Sequence, residues 1–421
     1  MTLKLCQTII ISSYLTSNVN SSKNPSKRYL NMNPTQDSPT STSKPQRILL
    51  GHLASFGDCL YATTLAKQIK TDYPDSHLTW AIGSIYSSVL IGNPHVDEVW
   101  EIPLRNRDDV FPKWYEFQKI ATEKYKNGDF DQIFLTQICH DPDNFRTYDG
   151  TLRSSILRFY GKPITVGVTP VIYLNQEEIN NVYDFAQTNN LINNEKVVLF
   201  ECSAKSEQSF VTEEFAIELA QKIAKNLPDW KILMSSNISI PQSIQYINII
   251  DASNLSFREN AELTKYCSLL IGCSSGISWL TTSSWAKKLP MIQLLKADKS
   301  MYASFIYDHR YHGLPTDHII EITDTNVDHI FNCFVSIVNE SFSISRSKFH
   351  QEIPLDFTFY FQTIASILYR RRMRQFFSSL RFTIQRYGLH PSLIKSFFPL
   401  IPYIAKLTVN KFIKQKKSKN E

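Results

Sequence analysis

The sequence predicts an α/β protein: two tandem Rossmann-like domains with a cleft between them, followed by a basic amphipathic helical tail. Three observations predict it. From residue 47 onward, short apolar runs alternate with stretches of helical periodicity, the pattern of a mainly parallel sheet covered on both faces. That alternation restarts near residue 196. At Arg346 the composition changes, with 15 Lys+Arg against 3 Asp+Glu to the end of the chain and 30 against 36 before it. The resulting divisions are a low-complexity N-terminus (1–46), two folded domains (47–180 and 181–345) and the tail (346–421).

The elements follow in order. Residues 47–53 form a short apolar run that reads as a buried strand, 54–58 a turn containing Ser55 and Gly57, and 60–71 a helix with Leu60, Leu65 and Ile69 on one face. Strand, glycine-containing turn and helix open a Rossmann unit. Strands are expected at 77–82, 96–102 and 132–137, and helices at 84–91 and 114–126. A polar, Asn/Gln/Glu-rich segment at 174–194 reads as the boundary between the two domains. The second half has strands at 196–201, 231–234, 247–251, 268–272 and 290–294, with helices at 212–225, 257–265 and 277–286. In the tail, Phe376, Phe377, Leu380 and Phe382 follow an arginine cluster, and a second apolar stretch at 397–413 ends in lysines. Bulk and positive charge together suit helices lying on an anionic membrane surface. For residues 357–369 packing as terminal helices is the alternative, and nucleic-acid binding is the weaker reading of the tail.

Composition excludes several classes. The seven cysteines are scattered and form no C-x-x-C pair, which argues against a disulfide framework or zinc site and for a reducing, cytoplasmic setting. No uninterrupted apolar run reaches the roughly 18 residues of a membrane span. Residues 16–46 are Ser-, Thr-, Asn- and Pro-rich and contain Met32, an alternative start. No P-loop and no G-x-G-x-x-G is present, which removes the main support for ATPase and dehydrogenase readings.

Two stretches, Leu53-Ala-Ser-Phe-Gly-Asp-Cys-Leu60 and Gly92-Asn-Pro-His-Val-Asp-Glu-Val99, resemble the opening of family 9 glycosyltransferases, the heptosyltransferase family of bacterial lipopolysaccharide synthesis. Asp131 and Gln137, Leu255-Ser-Phe-Arg-Glu-Asn-Ala261 and Leu270-Ile-Gly-Cys-Ser-Ser-Gly276 extend the likeness over residues 47–298. The resemblance implies a GT-B fold with an N-terminal acceptor domain, a C-terminal nucleotide-sugar domain, no metal and no other cofactor. It implies Asp58 as the general base of an inverting transfer. A carboxylate suits that step, since removing the proton of a sugar hydroxyl as it attacks typically gains ~100- to 10,000-fold. The residues alone allow Asp58 to be a helix cap instead.

The same resemblance places donor contacts at Ser203, Lys205, Ser206, Ser274, Ser275 and Gly276, where backbone amides at a helix start would hold phosphates. It departs from the family where Ser274 replaces an acid and Trp279 a histidine, and where the basic pair near 207–211 is missing. Lys205 either supplies that charge or is a solvated loop lysine. Ser55, Gly57, Arg146 and Arg153 stand where an anionic glycan acceptor would bind. His140-Asp-Pro-Asp143 contains Asp-x-Asp but reads as a solvated loop. The expected partners are a nucleotide-sugar, a glycan or lipid-linked acceptor of lipopolysaccharide type, and the inner face of the cytoplasmic membrane reached through the tail. A nucleotide-sugar epimerase and a catalytically degenerate, membrane-associated assembly partner are the alternatives.

Overall fold

Apolar runs buried on both faces make parallel strands, and the helices between them supply the crossovers such strands require. The computed structural model describes residues 44–137, 144–204, 208–236, 246–369, 372–400 and 402–403. Its first sheet holds β1 (Arg47–Gly51), β2 (His77–Gly83), β3 (Glu98–Ile102) and β4 (Gln132–Leu135). The strands are all parallel in the order β3-β2-β1-β4, with Leu49 opposite both Thr79 and Ile133. Helices α1 (Phe56–Asp72) and α2 (Val110–Lys126) cross between them, and the predicted 84–91 helix is a 3-10 stretch, Ser84–Leu90. Two further helices, α3 (Arg153–Arg158) and α4 (Gln176–Thr188), lead to the second half. The polar boundary segment is thus largely α4, whose start is fixed by reciprocal capping between Asn175 and Glu178.

The second sheet has β5 (Val197–Glu201), β6 (Lys231–Ser235), β7 (Ile249–Asp251), β8 (Leu269–Gly272), β9 (Met291–Leu294) and β10 (Ile319–Ile322). Their order is β10-β9-β8-β5-β6-β7, all parallel. Counted from β5, this is the doubly wound order 3-2-1-4-5-6. The first sheet has the first four strands of the same order. Helices α5 (Glu213–Asn226), α6 (Glu259–Leu263), α7 (Gly276–Leu280), α8 (Phe305–Tyr311), α9 (Val327–Asn339) and α10 (Phe342–Phe349) accompany the second sheet.

One predicted helix is much shorter than expected. The 277–286 periodicity gives only the five residues of α7. The Thr281 and Thr282 hydroxyls bond back to the carbonyls of Ser278 and Trp279, both at 2.7 Å, a local competition that favours turns over helix.

The tail folds as α11 (Thr358–Tyr369), α12 (Met373–Tyr387) and α13 (Pro391–Phe397). As the packing alternative for residues 357–369 expected, apolar side chains of the tail cover the body: Phe357, Tyr360, Phe361, Ile364, Phe376 and Leu393 are buried against Phe145, Tyr148 and Leu152. The aromatic periodicity that resembled an interfacial helix is the same signal a packed terminal helix gives. Ser379 donates to the Tyr148 carbonyl (3.0 Å), and Arg386 meets Asp149 (2.9 Å), which Arg158 also reaches (2.7 Å). Residues 404–421, which carry the terminal lysines, lie outside the described residues, as do 1–43.

A buried acid on β10 makes a pH prediction. Glu321 accepts the Ser304 hydroxyl at 2.8 and 2.9 Å and the Ile306 amide at 3.2 Å, so it fastens the start of α8 to the sheet. Burial pushes its carboxyl up to about 7, against those donors. A carboxyl raised in the folded state is favourable when protonated. Its stabilisation is therefore complete below the unfolded value near 4.5 and is lost as pH rises through about 7. The expected loss is about 3 kcal/mol, read as a falling urea midpoint between pH 4.5 and 7 that Glu321→Gln flattens. An unchanged slope in that variant would refute the assignment.

Candidate functional site

Ligands of open parallel sheets sit outside the carboxyl ends of the strands, where the strand order reverses. Here the two reversal points, β1/β4 and β5/β8, face one cavity of about 380 Å³. Its walls include Ser55 and Gly57 from the first half, Ser203, Ser275 and Gly276 from the second, and Arg153. The starts of α1 and α7 close on each other beside it. A Cβ on Gly57 would stand 3.5 Å from the Gly276 Cα, and the Phe56 ring is 4.7 Å from that of Phe257.

The loop after β1 is held by Gln137, which is buried at the end of β4. Its Oε1 accepts the amides of Leu53 and Ala54, both at 3.0 Å, and its Nε2 donates to the Ala54 carbonyl at 2.8 Å. That grip places the first turn of α1. Ser55, not Asp58, is the N-cap, so the cap reading of Asp58 gives way to a place inside the first turn. There its charge complements the helix dipole. Its Oδ2 accepts the Ser55 hydroxyl at 3.4 Å and its Oδ1 lies 3.5 Å from Arg153 Nε. Oδ1 has no hydrogen-bond partner among the described residues.

Arg153 is buried, its side chain 4% exposed. Besides Asp58 it reaches the Ser274 carbonyl (3.5 Å) and lies over the Trp279 ring, 5.0 Å from its centroid. It therefore ties the two halves together at the base of the cavity as well as presenting a positive charge to it.

The donor side differs from the expected phosphate cradle. Glu201, at the carboxyl end of β5, points its own carboxylate at the start of α7. It accepts the amides of Cys273 and Ile277, both at 2.8 Å, and the Ser278 hydroxyl at 2.5 Å. Burial raises its carboxyl above the usual range while those donors pull it back. Two amides that an incoming phosphate would need are already satisfied from within. Ser274 is corrected as a donor contact: it is fully buried at φ 51°, its amide donating to Gln293 Oε1 and its hydroxyl to the Ala303 carbonyl. Arg146 is exposed and is not part of the cavity wall. Lys205, Ser206 and the Asp-x-Asp loop at 141–143 lie outside the described residues.

Sequence reasoning missed several wall residues. Arg107 and Asn106 stand at the mouth, and Asn260 lies deeper, accepting the Ser235 hydroxyl at 2.9 Å. Arg258, inside a quoted motif, is buried and joins Glu178 (2.5 Å) to the carbonyls of Ser88 and Ile91 (both 3.0 Å), a second tie between the halves. An isolated arginine before a helix gives no signal of that role. Among the described residues no group of three His, Cys, Asp or Glu side chains is placed to hold a metal ion, and no helix is long and apolar enough to cross a membrane.

No family model matches the sequence, and no curated protein does. Among solved structures the chain is similar to a family 9 glycosyl transferase from Veillonella parvula DSM 2008, at 13% identity over 72% of this chain and 94% of that one, with a TM-score of 0.45. It is similar to the E. coli ADP-heptose heptosyltransferase II at 11% identity, over 70% and 98% of the two chains, with a TM-score of 0.44. A Listeria monocytogenes protein described as a UDP-N-acetylglucosamine 2-epimerase matches at 9% identity, over 74% and 93%, with a TM-score of 0.43. Likenesses at this level assign neither a reaction nor a substrate to the chain.

Proposed function

We propose that the chain is a glycosyltransferase that moves a sugar from a nucleotide-sugar to a surface-glycan acceptor of lipopolysaccharide type, by an inverting, metal-independent displacement. The observation that carries this reading is the Asp58 carboxylate. It lies in the first turn of α1 directly after Ser55, Phe56 and Gly57, which line the cavity that both sheets open onto, and its Oδ1 has no hydrogen-bond partner among the described residues. Arg153 lies 3.5 Å from that oxygen, and Ser55 donates to the second one. An acceptor hydroxyl that reached the Asp58 carboxylate would lose its proton there as it attacks the donor sugar from one face while the nucleotide leaves from the other. In this reading residues 47–180 bind the acceptor, with Ser55, Gly57 and Arg153 at its contact. Residues 181–345 bind the donor through Ser203, Ser275 and Gly276, and Lys205 and Ser206, which lie outside the described residues, complete the expected donor set. The lysines after residue 403 bring the enzyme to a lipid-linked acceptor at the inner membrane face.

Glu201 favours a second reading. Its carboxylate occupies the amides of Cys273 and Ile277, as a bound phosphate would, which suits a degenerate scaffold that no longer takes a donor. Thermal stabilisation across a panel of nucleotide diphosphates and nucleotide-sugars separates the two. A donor at about 100 times its Kd should stabilise the wild type and Asp58→Asn alike, by about 2.7 kcal/mol. Failure of every member of the panel would put the scaffold reading first. Transfer to an acceptor, rather than donor turnover alone, separates a transferase from an epimerase.

A further inference from the structure

Residues 357–420 contain 13 Lys+Arg and no Asp or Glu. Packing on the body uses only one side of this basic segment. On α12 the buried residues are Gln375, Phe376, Ser379 and Thr383, and the Ser379 and Thr383 hydroxyls donate to the Tyr148 carbonyl at 3.0 and 3.4 Å. At 3.6 residues per turn, a side chain two positions away is turned by about 200° round the helix. The opposite side therefore carries Met373, Phe377 and Arg381, with Arg374 beside them, and all four are exposed.

The exposed surface continues past α12. Only residues 388–390 separate α12 from α13, and both helices rest on α11. The Tyr360 and Ser379 hydroxyls meet at 3.0 Å, and the Phe361 and Phe397 rings lie 5.4 Å apart. Leu389, Ile394 and Phe398 face solvent here, and so does Lys395. Single exposed apolar residues are ordinary on a folded protein. Here, however, five of the eighteen large apolar side chains exposed among the described residues fall between 373 and 398, within the segment that has no acid.

We infer that the outer side of α12 and α13 is a docking surface for an anionic lipid bilayer. Arg374, Arg381 and Lys395 meet the headgroups, and Met373 and Phe377 enter the boundary of the acyl chains. The inference rests on the membrane contact given above to the lysines after residue 403, and adds to it a folded, apolar part. Met373, Leu389 and Ile394 have no ring to stack on a base, which favours lipid over single-stranded nucleic acid.

Salt separates the two parts of the contact, because exposed charges are largely screened at about 1 M and apolar insertion is not. The full chain is floated with vesicles of phosphatidylcholine mixed with phosphatidylglycerol, and with phosphatidylcholine alone. It is expected to bind the mixed vesicles more tightly, with a part of that binding persisting in salt. Met373→Ser combined with Phe377→Ser should abolish the persistent part and weaken binding by about 10-fold. Arg374→Gln and Arg381→Gln should each cost about 5-fold at low salt. All four side chains are exposed, so an unchanged melting temperature serves as the control for folding. Replacing Lys414, Lys416 and Lys417 by Gln should weaken low-salt binding and spare the persistent part. If that variant fails to float while the Met373/Phe377 variant floats as the wild type does, the lysine contact stands and the folded surface is refuted. Capture by neither kind of vesicle would refute both. Polyuridylate that binds more tightly and excludes the vesicles would make the surface one for nucleic acid.

Discussion

Asp149→Asn is expected to cost about 3–5 kcal/mol of folding stability, the range for removing one side of a buried ionic cluster. Asp149 is fully buried and neutralises two arginines, Arg158 at 2.7 Å and Arg386 at 2.9 Å, whose side chains are only 8% and 19% exposed. Asparagine keeps the Oδ1 that caps the turn to Thr151 through the amide (3.0 Å) and hydroxyl (2.6 Å), so shape and turn survive, while the charge and the Oδ2 acceptor facing Arg386 and Tyr387 are lost. Two guanidinium groups then remain in a poorly solvated wall, stacked on Tyr311 at 4.7 and 4.0 Å. Since domains are stable by only about 5–15 kcal/mol, the urea midpoint should fall sharply. Arg386→Met combined with Asp149→Asn should cost less than the sum of the single changes, because the second change removes a charge the first had stranded. Strict additivity would show that the tail is not held by this cluster.

Asp58→Asn is expected to lower kcat by about 100- to 10,000-fold while leaving donor affinity unchanged. The substitution keeps an oxygen for the Ser55 hydroxyl and removes the charge that would receive the acceptor's proton. It also deprives Arg153 of its carboxylate, so the melting temperature should fall as well. A purely structural role for Asp58 predicts the second effect without the first, once the rate is measured well below the melting transition. Near-wild-type transfer in a folded Asp58→Asn chain would end the proposal that this residue is the base.

The fold was legible where burial leaves the chain no choice. The run Val197–Glu201 is buried throughout, and Leu269–Gly272 likewise, so both read directly as interior strands. Legibility failed where side chains compete with the backbone, as Thr281 and Thr282 do in cutting α7 short. The tail's periodicity was read correctly as helical, and of the two destinations left open for residues 357–369 the structure shows packing on the body, a choice the stripe leaves open because it does not record which surface covers it. At the site, Ser55, Gly57 and Arg153 reach one cavity as their positions suggested. The inward turn of Ser274 depends on Ala303, 29 positions away, and the capping role of Glu201 on an amide 76 positions away. Neither distance is encoded in local spacing.

The Asp149 cluster also sets an order of events during synthesis. Asp149 and Tyr387, which closes over it at 3.3 Å, are 238 positions apart. At ribosomal speeds of ~5–20 residues per second, that interval is roughly 10–50 s. For all of that time the emerging first half carries an acid paired with Arg158 but not yet with Arg386, and an aromatic surface that the tail has not yet covered. Long-range closure of this kind slows folding and leaves apolar surface open to association. The nascent chain should therefore depend on chaperones until its last helices leave the exit tunnel.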